Sequence, residues 1–356
     1  MGLPDINLVF HNAATTAIAR SQRGIVGAIL KDSAPAVTGA HELLDESQIP
    51  AELSAVNQDY LKKTFIGYVN KPQKVIAYVL NTDAADLNTA LDYFALHKID
   101  YLVGPVDCST DEAQAISDWI KTERENKRTP KAVLPNTAAD NEGIINFTSS
   151  AIKTGDTEYT TAGYCGRIAG LIAGTPIAIS STYAQLPEVT DVNRLTEAEM
   201  DTAIDNGEFI IFHDGEKVKC GRGVNSLKTT TTEKGEAFKK IKIVEAVDMM
   251  EDDIRMTVQD NYIGKYSNSY DNKCLLISAI QDYFMELESE GVLQAGNSTV
   301  GIDIAKQKTY LQENGKDVIK MSEQEIKKAD TGSHVFLSGS VGILDTIEDI
   351  DLDISF

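Results

Sequence analysis

Residues 74–104 read KVIAYVLNTDAADLNTALDYFALHKIDYLVG, and the change of period inside them decides the fold. Residues 74–80, KVIAYVL, read as a strand. Residues 83–98 then place Leu87, Leu91 and Phe94 on one helical face, with Asp83 as the expected N-cap. Residues 100–104, DYLVG, return to a strand. The pattern continues on both sides. GIVGAIL (24–30) is a strand, and residues 52–67 form a helix presenting Val56, Tyr60, Leu61 and Phe65. Ser109 or Thr110 opens a helix running through Trp119 to Lys127, KAVLPN (131–136) is a strand, and GIINFTS (143–149) adds another. Strands alternating with helices across such short links predict a parallel α/β layer.

Further along, residues 160–174 form an apolar helix closed by Gly174-Thr175-Pro176. Residues 208–213 and 217–220 form a hairpin about Asp214-Gly215. FKKIKIVEAV (238–247) reads as a strand feeding the helix of DMMEDDIRMTVQDNYI, and residues 268–289 form a long helix with Leu275, Leu276, Ile280, Tyr283 and Phe284 facing a core. From HVFLSGSVGIL to Phe356 the pattern is again β. The expected class is therefore α/β, α+β overall. An extended arm covers 1–20, an α/β body 21–200, a second α+β domain 201–342 and a second β arm 343–356.

Composition restricts function. Fifty-four acids against 33 bases give a net charge of −21, which repels phosphate backbones and anionic membrane surfaces. No run approaches 18 apolar residues, and residues 1–20 lack the basic start and apolar core of a secretory signal. No nucleic-acid partner and no membrane insertion are expected. Cys108, Cys165, Cys220 and Cys274 lie more than about fifty residues apart, neither a disulfide framework nor a zinc spacing, so reduced thiols are expected.

Chemistry-bearing motifs are hard to find. The loops after the strands (NTDAAD, PVDCST, NTAADNEG) are not glycine-rich phosphate cradles. The nearest approach to a Walker loop is Gly264-Lys265-Tyr266, with Gln259 where its first glycine belongs. His11, His41, His97, His213 and His334 share no ligand spacing, and LSGSVG misses the hydrolase elbow because Ser338 stands at its first glycine. The acids of MMEDDI suit a solvated helix start. Glycines 163, 166, 170 and 174 lie on one helical face, either an anion or oligomer surface or, preferably, a smooth stripe for close packing. No catalytic residue, metal ligand or cofactor site is assigned. An intracellular α/β enzyme with a site dispersed in sequence is the alternative reading.

The ends carry the remaining signal. Ile6, Leu8 and Phe10 alternate with polar residues in LPDINLVF (3–10), as do Ile350, Leu352, Ile354 and Phe356 in EDIDLDISF (348–356). Each set is either an edge strand of its own body or a strand given to a neighbour. Burying the last four would contribute about 6–12 kcal/mol gross. Ordering the backbone would offset much of that, at about 1–2 kcal/mol per residue.

Four stretches resemble the tail sheath proteins of contractile phage tails and phage-tail-like bacteriocins, most closely the short sheaths of the diffocin type. They are YTTAGYCGRIAGLIAGTPIAISSTYAQLPEVTDV (159–192), GRGVNSL (221–227), VEAVDMMEDDIRMTVQDNYIGKYSNSYDNKCLLISAIQDYF (244–284) and the β tail. The resemblance implies a structural, non-enzymatic subunit of a contractile injection system. Such subunits polymerise around a tail tube, contract, and drive the tube through a target envelope. It implies that residues 3–10 and 346–356 pair with neighbouring copies through the seven apolar residues just named, and that the tube is met by the C-terminal domain, with Lys327 and Lys328 as candidates. The partners it implies are further copies of the chain, the tube protein, and baseplate and terminator proteins. Assembly would take place in the host cytoplasm, into a virion or tail-like particle.

Overall fold

The structure, a computed structural model, describes residues 17–20 and 22–355. Ile6, Leu8, Phe10 and Phe356 therefore lie outside the described residues. Contacts group the chain into two compact units, residues 22–252 with 345–355 and residues 17–20 with 253–344. Residues 201–252, expected in the second domain, thus pack with the first.

The first unit opens with β1 (Ile25–Asp32), β2 (Gly39–Leu43), α1 (Ala55–Ile66), β3 (Lys74–Asn81), α2 (Asn88–Ala95), β4 (Tyr101–Val103), α3 (Thr110–Glu125), β5 (Lys131–Pro135) and β6 (Ile144–Phe147). A hairpin of β7 (Ile152–Thr154) and β8 (Thr157–Tyr159) follows, then α4 (Thr161–Ala173), α5 (Glu197–Asp205), β9 (Glu208–Phe209), β10 (Ile211–His213) and β11 (Val218–Cys220). Seven strands form one sheet in the order β2-β3-β1-β4-β5-β6-β9, parallel except for the edge strand β2.

The period of two in β1 sorts its side chains between two cores. Val26, Ala28 and Leu30 pack with Tyr60, Leu61 and Phe65 of α1 and Ile168 and Leu171 of α4, while Ile25 and Ile29 pack with Leu91 and Phe94 of α2 and Ile116 and Ile120 of α3. Helices therefore cover both faces, which is why these strands are continuously apolar.

The glycine stripe of α4 is a packing surface. A Cβ on Gly170 would lie 2.8 Å from the Thr64 carbonyl carbon and closer still to its oxygen, so α1 and α4 meet backbone to backbone. The crevice beyond β1 and β4, where the strand order reverses and α/β sheets commonly bind ligands, is filled by the chain's own groups. Asp32 there accepts hydrogen bonds from the Ser54 and Ala34 amides and from Asn57. Burial would raise its carboxyl, but these donors hold it down at about 2. Tyr60 donates to the Gly104 carbonyl oxygen, and Cys108 Sγ fills the space beside Gly104.

Several expectations are corrected. Helix α2 begins at Asn88, not after Asp83: the Asp83 amide turns back onto Asn81 Oδ1, and Asp86 Oδ1 accepts the Asn88 amide. Val56 is exposed on α1. The strand expected over 238–247 is helical, because α6 (Ile241–Asn261) starts there. Its alternation of Lys and Ile is only four residues long, and Ile241, Val244 and Asp248 bury at helical spacing instead. The hairpin is divided, with β9 joining the main sheet and β10 pairing with β11 across the expected turn.

A buried ionic cluster holds the first half of α6. Asp248 accepts from Arg124 at 2.9 and 3.0 Å and from Lys131 at 3.0 Å; Lys131 also reaches Glu245 at 3.1 Å, and Arg124 reaches Glu142 at 3.2 Å. Burial would raise the Asp248 carboxyl, and the two cations instead hold it below its ordinary range.

The second unit holds the rest of α6, then α7 (Tyr270–Ser289), β12 (Thr299–Ile302), α8 (Ile304–Glu313), α9 (Glu323–Lys328) and β13 (Leu337–Ser340). Tyr283 donates to the buried Asp253 carboxylate at 2.7 Å. Asn268, in the YIGKYSNSYDNK stretch, fixes the 331–334 turn by donating to Thr331 Oγ1 and to the carbonyls of Gly332 and His334. β12 and β13 form an antiparallel pair with the register Thr299↔Ser340 to Ile302↔Leu337. Of the expected β tail, the described residues form the strand β13 and a single antiparallel bridge from Ile343 to Leu293. Among the described residues, 345–355 pair with no strand of this chain.

Candidate assembly site at the C-terminal segment

Ile350, Leu352 and Ile354 are 78, 74 and 71% exposed. Residues Asp351, Asp353 and Ser355, which alternate with them, are exposed as well, so this segment lies on no surface of its own unit. Three large apolar side chains at a spacing of two make one apolar face about 14 Å long when extended.

The root of that segment is seated firmly. Glu348, 7% exposed at its side chain, accepts from Thr182 Oγ1 at 2.6 Å and Lys240 Nζ at 2.9 Å, and pairs with Arg222 at 3.4 Å. Lys240 also pairs with Asp345 at 2.5 Å, and Arg222 with Asp349. Burial would raise the Asp345 carboxyl, but Lys240 holds it below its ordinary value. The partners come from three separate places: the 180–184 loop, the turn of Gly221-Arg222-Gly223, and the residue just before α6. Gly223 packs closely there, since a Cβ would lie 2.8 Å from Ser181 Oγ, and its amide donates to Thr182 Oγ1 at 3.0 Å. Reasoning from sequence missed these residues. The only available signal was that two of them fall within the quoted stretches 159–192 and 221–227.

In the other unit, the residues leading out of the undescribed N-terminal segment are seated too. The Ala19 amide donates to Thr257 Oγ1 at 2.9 Å; Arg20 pairs with Glu290 at 2.6 Å and lies 5.2 Å over the Tyr283 ring. Lys327 and Lys328 end α9, a short helix opened by a Ser322–Glu325 capping box. The Lys328 ammonium stands 5.7 Å over the Tyr270 ring.

Among the described residues, no group of three or more His, Cys, Asp or Glu could hold a metal ion, and no helix is long and apolar enough to cross a membrane. All four cysteines are free.

The described residues thus form a layered α/β unit and a second α+β unit, and 345–355 pair with no strand among them. Residues 81–226 match the family described as phage tail sheath protein central domain, and residues 233–356 match the phage tail sheath C-terminal domain. The tail sheath protein of Clostridium phage phiCD119 is 40% identical over 357 residues, 99% of this chain and 98% of that one. The fold is shared with the anti-feeding prophage helical sheath in its contracted state (TM-score 0.72, 14% identity, 100% of this chain and 99% of that one). It is shared also with the sheath tail protein Lin1278 of Listeria innocua (TM-score 0.69, 16% identity, 92% and 97%). The chain belongs to the phage tail sheath family and is a structural subunit of the sheath, a component of a phage tail or tail-like particle.

Proposed function

We propose that copies of this chain polymerise by donating the segment 346–356 to a neighbouring copy, and that residues 3–10 make a second link of the same kind. The observation that carries this reading is the exposed face of Ile350, Leu352 and Ile354, which has no strand partner among the described residues of its own chain. The acceptor it favours is the β12–β13 pair. Two strands alone are marginal in water, and among the described residues neither outer edge of this pair has a strand neighbour, which leaves room for an added strand. A strand laid there would bury its apolar residues and complete a ladder.

The assembled sheath would surround a tail tube, with Lys327 and Lys328 meeting an acidic tube surface, and would end on baseplate and terminator proteins. Contraction would be a rigid-body repacking of subunits about persistent strand links, driving the tube through a target envelope without bond hydrolysis. Assembly in the host cytoplasm and a particle of the diffocin type complete the proposal. The domain divisions at 20, 200 and 342 are proposed as divisions of role. L352D tests the reading by sedimentation: polymer lost with the monomer still folded supports it, and polymer undiminished contradicts it.

A further inference from the structure

Resting on that reading of the C-terminal segment, we propose that Glu348 is its positioning residue: seated by Thr182, Arg222 and Lys240, it fixes the root of the segment so that Ile350–Ile354 leave the body in one direction.

A flexible segment must lose its conformational freedom when it pairs, at about 1–2 kcal/mol per backbone residue. Fixing its root before pairing lowers that cost and raises the effective concentration of the strand at its target. The geometry suits this task. Glu348 is the one acid of the tail that is nearly buried, and it receives three donors from three different loops. Asp345 and Asp349, on either side, take the second valences of Lys240 and Arg222. Two residues beyond, Ile350 is almost fully exposed. The transition from fixed to free therefore falls between 349 and 350. Such a division is what a donated strand needs, because its base stays with the donor while its tip belongs to the recipient.

The seat also draws on two loops outside the main sheet. Arg222 sits between two glycines, and Thr182 sits in a Ser-Ser-Thr loop whose hydroxyls bond one another, Ser180 Oγ to Thr182 Oγ1 at 2.9 Å. Neither Arg222 nor Thr182 is needed by the main sheet. Both aim at the root of the tail.

The test compares the full chain, a chain ending at Asp349, E348K, R222E and the double variant R222E/E348K. The protein concentration at which sedimentable polymer first forms is measured alongside the melting of the unpolymerised protein. E348K and R222E should each raise the required concentration about tenfold, equivalent to about 1.4 kcal/mol. The double variant, which restores an opposite-charge pair and leaves Lys240 with Asp345, should recover to within about threefold of the full chain. All should melt as the full chain does. If E348K assembles at the ordinary concentration while the chain ending at Asp349 does not, the seat is wrong and strand donation stands. A double variant no better than the worse single one also overturns the seat. Should the chain ending at Asp349 assemble normally, strand donation itself fails. If E348K does not fold, E348Q decides: a raised concentration supports the seat, and an unchanged one overturns it.

Discussion

Thr64 and Gly170 bring the backbones of α1 and α4 into direct contact, leaving no room for a methyl group between them. Replacing Gly170 with Ala would improve intrinsic helix propensity by about 1 kcal/mol. The new Cβ would meet the Thr64 carbonyl group, which is backbone and cannot swing aside. Overpacking of this kind costs about 1–3 kcal/mol, and more where backbone must move. With backbone as the obstacle the upper part of that range applies and the clash wins: G170A should lower stability by about 1–2 kcal/mol net, read by urea unfolding of the monomer. A stabilised G170A would show that the two helices are not in contact.

Asp248 anchors α6 through Arg124 and Lys131. D248N would remove the carboxylate shared by both cations and leave Lys131 with Glu245 and Arg124 with Glu142, at a cost of about 1.5–3 kcal/mol for the lost charged hydrogen bonds. The pH dependence follows from the lowered carboxyl. Its folded pKa lies below the unfolded value of about 4, so on acidification the unfolded chain takes up the proton first. The stabilisation is complete above the unfolded value and is lost as the pH falls through the folded one. D248N should remove that part of the acid dependence, so the variant and parent stabilities converge at low pH.

Arg20 is held by Glu290 and lies over Tyr283 beside the buried Asp253. R20A should cost about 1–2 kcal/mol, because a charged hydrogen-bonded group is lost at a partly buried site. Amide exchange should rise along α7, while exchange in the sheet of the other unit stays unchanged. Equal loss of protection in both would refute a local role.

For the tube contact, K327E/K328E should leave self-assembly of the sheath intact and weaken binding to isolated tubes about tenfold or more. The loss should shrink at high salt, where exposed charges are screened. Wild-type binding at low salt would remove these lysines from the contact.

The main sheet was readable because its strands are apolar runs and its helices carry apolar stripes; the start of α3 was read as Ser109 or Thr110, and the cap is Ser109. β2 escaped notice because an edge strand of GAHEL has little β-branched content. The start of α6 was misread because alternation over four residues cannot separate strand from helix. The apolar face of the C-terminal segment could be read, since it is a local period of two. Its seat could not, because Thr182, Arg222 and Lys240 are brought to Glu348 only by the fold.

Electron microscopy of the full chain beside a chain ending at Asp345 tests the central claim most directly. Long hollow cylinders from the full chain, and only folded monomers from the shortened one, are the predicted result. Cylinders from both would show that the sheath is held together by surfaces other than its C-terminal strand.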